Sequence, residues 1–288
     1  MNFLYEILGT VLSFIYNIVP NFGWAVIILT VIVRLILLPL TIKQQNSMTN
    51  MQKLQPELEK LQKKYGKDKE KLSEETMKLY KEYNVNPMGG CLPLLIQMPI
   101  LIAVYGVIQR PITYLLKIKL PNGVLDALKQ TAADTELNIV AFVNNNLSAA
   151  QDLLEKAKLD FDLTSLQINF DFLGINLGLT PNNPQGNYLL WAIPVVCVIT
   201  SFLVSKVSQA TQPKKDNKEK NSQQGQMNAM MYIFPFMTGY FCYILPAAMG
   251  IYWVAGNVLQ IIQTVVLNKI MAKKLEDNLL AEENKKKK

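Results

Sequence analysis

The sequence predicts an all-α polytopic membrane protein with five transmembrane helices, an N-terminal interfacial amphipathic helix and a cytoplasmic helical hairpin. Three observations carry this expectation. Half of the 288 residues are apolar, and they fall in uninterrupted blocks with the charged residues between them. Five stretches reach the length of about 17–25 residues that a helix needs to span the hydrocarbon core. The lysines crowd into alternate connecting segments, the asymmetry expected of a multi-spanning chain.

Residues 1–20 read as the interfacial helix. Glu6, Thr10, Ser13 and Asn17 recur along one helical face, while Leu4, Ile7, Leu8, Val11, Ile15 and Ile18 occupy the other. Such a helix lies in the membrane plane, and Pro20 ends it. A signal peptide is disfavoured by Glu6 and by the lack of a positive leading segment; a lipoprotein anchor is disfavoured because the first cysteine is Cys91. The first span covers 21–43, and its apolar run 22–42 is interrupted by one charge, Arg34.

Residues 44–88 are polar yet periodic. Met51, Leu54, Leu58, Leu61 and Tyr65 form one apolar stripe, and Leu72, Thr76, Leu79 and Tyr83 form a second, with Gly66-Lys67-Asp68 between them. Two such stripes predict an antiparallel helical hairpin whose seams face each other. Pro56, followed by Glu57 and Glu59, marks the start or a kink of the first arm. So small a hairpin buries little apolar surface by itself, so it should move relative to the membrane part.

The second span covers 89–116, built on the apolar run 91–108 and continued past Gln109-Arg110-Pro111 to Leu116. An extracytoplasmic loop follows at 117–186, in which 124–163 reads as amphipathic helix and 166–179 as a short extended or surface-packed segment. The third span is 187–206 and a cytoplasmic loop is 207–225. The apolar block 227–267 is too long for one crossing, and Leu245-Pro246 is its natural break, because proline removes a backbone donor and clashes with the preceding turn. It therefore divides into spans at 226–245 and 246–269, followed by a basic cytoplasmic tail at 270–288.

Charge sets the orientation. Ten lysines fall in 43–88, five in 206–225 and seven from Lys269 onward, against five in the longer segment 117–186, which also carries eight acids. Placing the 22 lysines in the cytoplasm puts the N-terminus outside and the C-terminus inside, as five crossings require. The chain has no histidine and three cysteines, which removes His-based acid–base chemistry, Ser-His-Asp triads and Cys-rich zinc sites. The reading is a non-enzyme with no cofactor and no metal.

The candidate site is a set of polar residues inside these spans. Arg34 sits a little past the middle of the first, where a cation costs at least about 2.5–3.5 kcal/mol. No Asp or Glu occurs in any of the five spans, so a buried acid is excluded. Two readings stay open: Arg34 snorkels to the headgroups near Lys43, or it lines a hydrated cavity open to the cytoplasm. Thr30 lies one turn earlier on the same face. Gln97 is the one strongly polar side chain of the second span's apolar run. In the last span Trp253, Asn257 and Gln260 share a face, with Tyr252 beside it. Asn and Gln in membrane helices also serve simply as interhelical hydrogen-bonding groups, and the Tyr252-Trp253 pair suits packing equally well.

The run TVIVRLILLPLTIKQQNSMTNMQKLQPELEKLQKKYG resembles the signature of the YidC/Oxa/Alb family of membrane protein insertases. KLYKEYNVNPMGGCLPLLIQMPILIAVYGVI is similar to that family's second core helix and its approach, and LPAAMGIYWVAGNVLQIIQ to its final helix. The resemblance covers most of 1–118 and 187–288. It implies an insertase and chaperone that works without an energy source, through a hydrophilic groove open to cytoplasm and lipid. Arg34, Thr30, Gln97 and Trp253 then match groove or substrate-contact positions, and Tyr252, Asn257 and Gln260 extend the same wall. The implied partners are nascent membrane proteins, the lipid bilayer, the ribosome through the basic tail and, as a further candidate, the Sec translocon, in a bacterial plasma membrane. The large extracytoplasmic domain of Gram-negative members is absent, which points to the Gram-positive type, although that type usually begins with a lipoprotein signal. The segment 117–186 matches nothing in the family pattern.

Two other functions compete. One is a small-solute channel or transporter with Arg34 as an anion site, but the sequence shows neither an internal repeat nor an intramembrane acid. The other is an assembly factor that escorts helices without moving polar segments. The absence of a G-x-x-x-x-G-K-[ST] motif fits a process driven by partitioning into lipid.

Overall fold

Twelve α-helices lie among the described residues, which in this computed structural model are 2–83, 85, 92–129, 135–210 and 222–286. They are α1 (Asn2–Ile18), α2 (Phe22–Ile36), α3 (Leu38–Lys53), α4 (Gln55–Tyr65), α5 (Lys69–Glu82), α6 (Leu92–Gln109), α7 (Val124–Lys129), α8 (Glu136–Asn145), α9 (Leu147–Lys156), α10 (Ala192–Ala210), α11 (Ser222–Ile244) and α12 (Ala247–Lys286). A π-helical turn, Ile112–Leu116, follows α6, and one two-stranded antiparallel sheet pairs β1 (Asp171–Phe172) with β2 (Ile175–Asn176). Outside the described residues lie 86–91 on the approach to the second span, 130–134 of the outer segment, 211–221 of the 207–225 loop, and the last two lysines of the tail.

The chain forms two compact units. The first comprises Met1–Arg34, Pro99–Ser205 and Lys220–Ile261; the second comprises Leu35–Met98, Lys206–Glu219 and Ile262–Lys288.

In the first unit α1 is a helix up to the residues before Pro20, as expected, but its faces are used differently. Gly9, Leu12 and Ile15 are buried, whereas Phe3, Ile7, Phe14 and Ile18 are exposed. The helix packs on protein with one face and presents apolar side chains on another. Close approach explains this: a Cβ at Gly9 would stand 2.8 Å from Tyr114 Cβ. The Tyr5 and Tyr114 rings meet at 5.8 Å, and Lys117 Nζ donates to Thr10 Oγ1 at 3.0 Å. Tyr16 accepts the Asn169 N–H at 2.9 Å, and its burial pushes the phenol pKa up.

The outer segment departs most from expectation. The amphipathic helix expected over 124–163 is three helices, α7 to α9. Thr135 starts α8 as its N-cap, accepting the Asn138 N–H, and Asn146 separates α8 from α9. Val124, Leu128, Leu137, Ile139, Val140, Val143, Leu163, Leu166 and Leu177 are fully or almost fully buried. Burial stabilises by about 1.5–3 kcal/mol for each large apolar side chain removed from water, and these residues form the core of the segment. The stretch 166–179, expected to be extended or surface-packed, supplies the β-hairpin and two of these core residues, Leu166 and Leu177.

Two spans also differ from the expected single rods. The apolar run 22–42 breaks at Leu37 into α2 and α3. Pro39 is the cause, because it has no N–H to give and its ring crowds the carbonyl one turn back. Past Gln109 the second span does not continue as α-helix to Leu116; Pro111 interrupts it, and the chain resumes as the π-turn that ends at Lys117 in the left-handed region. The break at Leu245-Pro246 is present, with α11 ending at Ile244 and α12 starting at Ala247. Helix α12 then runs to Lys286, so the expected tail is helical through that residue.

By length and composition, two described segments suffice to cross a membrane, Tyr188–Ser208 and Ala247–Ile270, and the broken pair α2–α3 makes a third. Only 28% and 17% of the two windows is buried within the protein. Helices this apolar and this uncovered are built for lipid rather than for a soluble core.

In the second unit α4 and α5 form the hairpin that the two stripes predict. Leu58, Leu61, Tyr65, Leu72, Thr76 and Leu79 are all half-buried, while Tyr83 is exposed and leaves the seam. No residue of α5 is fully buried, so the packing is thin. Glu74 and Glu75 hydrogen-bond Lys78 and hold its ammonium above the usual lysine range, but exposed pairs of this kind contribute little stability. Local capping therefore matters more here than elsewhere. Asp68 is the N-cap of α5, accepting the Lys71 N–H at 3.1 Å. Asp68→Ala should destabilise the start of α5 by about 0.5–2 kcal/mol, read as faster hydrogen exchange at the Lys71 and Leu72 amides. Asp68→Asn should keep the slow exchange, and unchanged exchange in the alanine variant would remove the cap from this account.

Candidate functional site

The break at Leu37 changes the setting of Arg34. In an unbroken span it would stand near the middle; with α2 ending at Ile36 it occupies that helix's last turn. A cation there meets the negative end of the helix dipole, an interaction worth about 0.3–1 kcal/mol at exposed sites and up to about 2 kcal/mol when partly buried. Pro39 thus creates a favourable place for a charge inside an apolar segment.

The guanidinium reaches α12. Arg34 Nη2 donates to Gln260 Oε1 at 3.4 Å, and Tyr252 lies within electrostatic reach of the same group. One turn before Gln260, Gly256 leaves the space that the guanidinium occupies: a Cβ there would stand 3.2 Å from Nη2 and 3.8 Å from Nε. Here the glycine serves close approach rather than backbone freedom.

The rest of the α12 stripe faces other helices. Asn257 Nδ2 donates to Thr200 Oγ1 and to Ser201 Oγ on α10, both at 3.0 Å. Thr200 in turn donates to the Val196 and Cys197 carbonyls at 2.8 and 3.1 Å. Trp253 stacks on Phe241 of α11, with ring centroids 6.5 Å apart and planes 20° apart. Tyr252 is buried. Inside a membrane each interhelical hydrogen bond contributes about 0.6 kcal/mol and at most about 1–2 kcal/mol, so the cluster fixes geometry more than it adds stability.

Six of the seven expected residues fall in the first unit. Arg34 and Gln260 are joined directly, Tyr252 interacts with Arg34, Trp253 and Asn257 tie α12 to α11 and α10, and Thr30 is buried with its hydroxyl donating to the Val26 carbonyl at 2.7 Å. Thr30 is therefore satisfied by its own helix. The seventh, Gln97, is a half-buried residue of the second unit. Sequence reasoning passed over Gly256, Thr200 and Ser201. The adjacent hydroxyls at 200 and 201 in an apolar span were a visible signal, whereas Gly256 carries meaning only once Arg34 is known to lie against it.

The family model described as 60Kd inner membrane protein matches residues 14–274. A membrane protein insertase YidC of Fusobacterium nucleatum is 33% identical over 273 residues, covering 93% of this chain and 98% of that protein. Membrane protein insertase YidC 2 of Listeria innocua is 34% identical over 265 residues, covering 91% of this chain and 69% of its own. A solved structure described as an active YidC insertase with the first transmembrane domain resolved aligns at a TM-score of 0.49 and 23% identity, over 91% of this chain and 45% of that one. The sequence matches alone carry the assignment, and they span every residue of the polar cluster: the chain belongs to the 60Kd inner membrane protein family.

Proposed function

We propose that this chain is a membrane protein insertase and chaperone of the Gram-positive YidC type, which inserts nascent membrane proteins and helps them fold. The observation that carries this reading is the cationic and amide cluster of Arg34, Gln260 and Asn257, set among helices that otherwise expose apolar side chains. The sequence relatives, named as insertases, support it.

In this reading the chain crosses a bacterial plasma membrane five times, with its N-terminus outside and its C-terminus in the cytoplasm, and the lysine distribution supports that orientation. A nascent protein must move a short polar flank across about 30 Å of hydrocarbon. Polar groups part of the way across shorten the apolar path. Arg34 attracts acidic residues of the flank: opposite charges 4 Å apart interact by about 1 kcal/mol in water and about 4 kcal/mol near a protein surface. Gln260 holds the guanidinium in place and Gly256 leaves it room. Gln97 is assigned to this groove by the family resemblance alone. Apolar residues of the substrate each gain roughly 0.3–0.6 kcal/mol at the centre of an inserted helix, so partitioning into lipid completes the movement without a nucleotide. The α4–α5 hairpin and the lysine-rich tail would meet the cytoplasmic machinery, the tail touching the ribosome, with the Sec translocon a further candidate partner.

Vesicles reconstituted with this chain alone should take up a short single-span substrate several-fold better than empty vesicles; equal uptake would remove the basis of the reading, and uptake of small anions in its place would favour a channel. Arg34→Ala should impair substrates with acidic flanks several-fold while sparing neutral ones, and Arg34→Lys should largely restore them. Loss in both variants, irrespective of flank charge, would make Arg34 a packing residue. Gly256→Leu should reproduce the Arg34→Ala defect by displacing the guanidinium, whereas Gly256→Ala, which asks Nη2 to move by only a few tenths of an ångström, should stay close to the parent.

A further inference from the structure

The outer segment ends in a feature that a water-facing loop would not choose. In the β1–β2 hairpin Asp171 pairs with Asn176 and Phe172 with Ile175, leaving a two-residue turn of Leu173 and Gly174. Both have positive φ, 55° and 77°, as a type I′ turn demands. That turn favours Asn, Asp or Gly at its first position, because left-handed backbone is unfavourable for other residues and an apolar tip gains nothing from water. Here the position is held by leucine, and Leu173 is 79% exposed. Both its conformation and its exposure are unfavourable in water.

The neighbours extend the anomaly. Trp24 packs edge-on against Phe172 with centroids 5.5 Å apart, and Tyr188 packs likewise against Trp191 at 5.4 Å. Leu189 lies under the turn, 3.6 Å from where a Cβ at Gly174 would stand, and Asn187 Nδ2 donates to the Gly174 carbonyl. Trp24, Tyr188, Leu189 and Trp191 are all exposed by half or more. Together with Leu173 they form one apolar, aromatic surface.

The position of this surface identifies its occupant. Trp24 is in the first turn of α2, and Tyr188 and Trp191 open the apolar segment Tyr188–Ser208. Asn21 Nδ2 donates to the Asp171 carbonyl and the Phe22 N–H to the Asn169 carbonyl, which ties the hairpin to the start of α2. The hairpin is thus held where two apolar helices begin, the level at which Trp and Tyr rings gather at a membrane–water boundary. We infer that the Leu173-Gly174 tip, with Trp24, Tyr188, Leu189 and Trp191, is a lipid anchor that dips into the boundary region of the leaflet on the side of the 117–186 segment. Its stabilising partner is the upper acyl region of phospholipid. The inference needs α2 and α10 to enter a bilayer; it does not depend on insertion activity.

Trp24, Trp191 and Trp253 are the three tryptophans of the chain, which allows a direct test. The full chain carrying Trp24→Phe, Trp191→Phe, Trp253→Phe and Leu173→Trp is reconstituted into phosphatidylcholine–phosphatidylglycerol vesicles. The expected result is blue-shifted emission that lipids brominated near the headgroup quench strongly, lipids brominated near the chain end quench weakly, and aqueous iodide leaves unchanged. Water-like emission quenched by iodide would overturn the anchor in favour of a solvent-facing turn. Blue-shifted emission quenched by neither lipid nor iodide would overturn it in favour of a protein partner or a second copy. A milder variant covers the case in which the quadruple change fails to fold. In a chain keeping only Trp191, Leu173→Asn suits the turn and should raise iodide quenching of Trp191 by lifting the tip from the lipid; unchanged quenching would count against the anchor.

Discussion

A positive charge held among apolar helices is the constraint on which the rest of this molecule depends. A guanidinium inside a membrane segment is tolerated only where protein dipoles or water replace its hydration. Arg34 is given such a place by four features acting together. Pro39 ends α2 two residues after it, at Ile36, so it meets a helix C-terminus; Gln260 accepts from it; Tyr252 lies close; and Gly256 leaves the room. Remove the glycine's vacancy or the amide and the same charge becomes a liability.

Two kinds of stabilisation divide the labour around it. In water, apolar burial is the driving force, and the segment 117–186 has the features of a small core, with nine fully or nearly fully buried aliphatic residues drawn from α7, α8 and the stretch after α9. Among the spans apolar contact with lipid replaces that force, so the helices leave most of their apolar side chains uncovered and are held in register by small residues and polar pairs. Gly239 and Gly250 illustrate it: a Cβ at either would run into Val198 or Ile193 of α10. The α4–α5 hairpin has neither resource in quantity, with half-buried seams and local ion pairs, so it is the element most dependent on its caps and turns.

Much of the fold was legible because each signal was local and strong. Apolar length marks the membrane segments, Pro246 marks the α11–α12 break, and the stripes at 51–65 and 72–83 mark the hairpin, although Met51 lies in α3 and Tyr83 is exposed. Pro39 and Pro111 are equally visible, but apolar length outweighs them in the sequence, and the first two spans are interrupted where the sequence predicts continuous rods. The segment 117–186 differs for another reason: its periodicity is helical across 124–163, and tertiary packing decides that the chain turns at Asn146 and Lys158 rather than running on. Residue type and spacing single out Arg34, Asn257 and Gln260, since polar side chains are rare in such a background, and each makes a hydrogen bond to another helix. Helical spacing is silent on the contacts of Trp253 and Thr30, which are Phe241 and the Val26 carbonyl. Gly256, Thr200 and Ser201 needed the three-dimensional neighbours of α12.

In the proposed mechanism, water and a passing polar segment reach the polar stripe beside Arg34. The most direct measurement is thiol accessibility at Gln260→Cys, with Cys91, Cys197 and Cys242 replaced by serine and Lys60→Cys on the exposed hairpin as the reference. The account predicts that a membrane-impermeant maleimide labels position 260 in vesicles, and that a stalled substrate with an acidic flank protects it while position 60 stays reactive. No labelling at 260 while position 60 labels fully, with or without substrate, would contradict it: the stripe would then be a dry packing contact between helices.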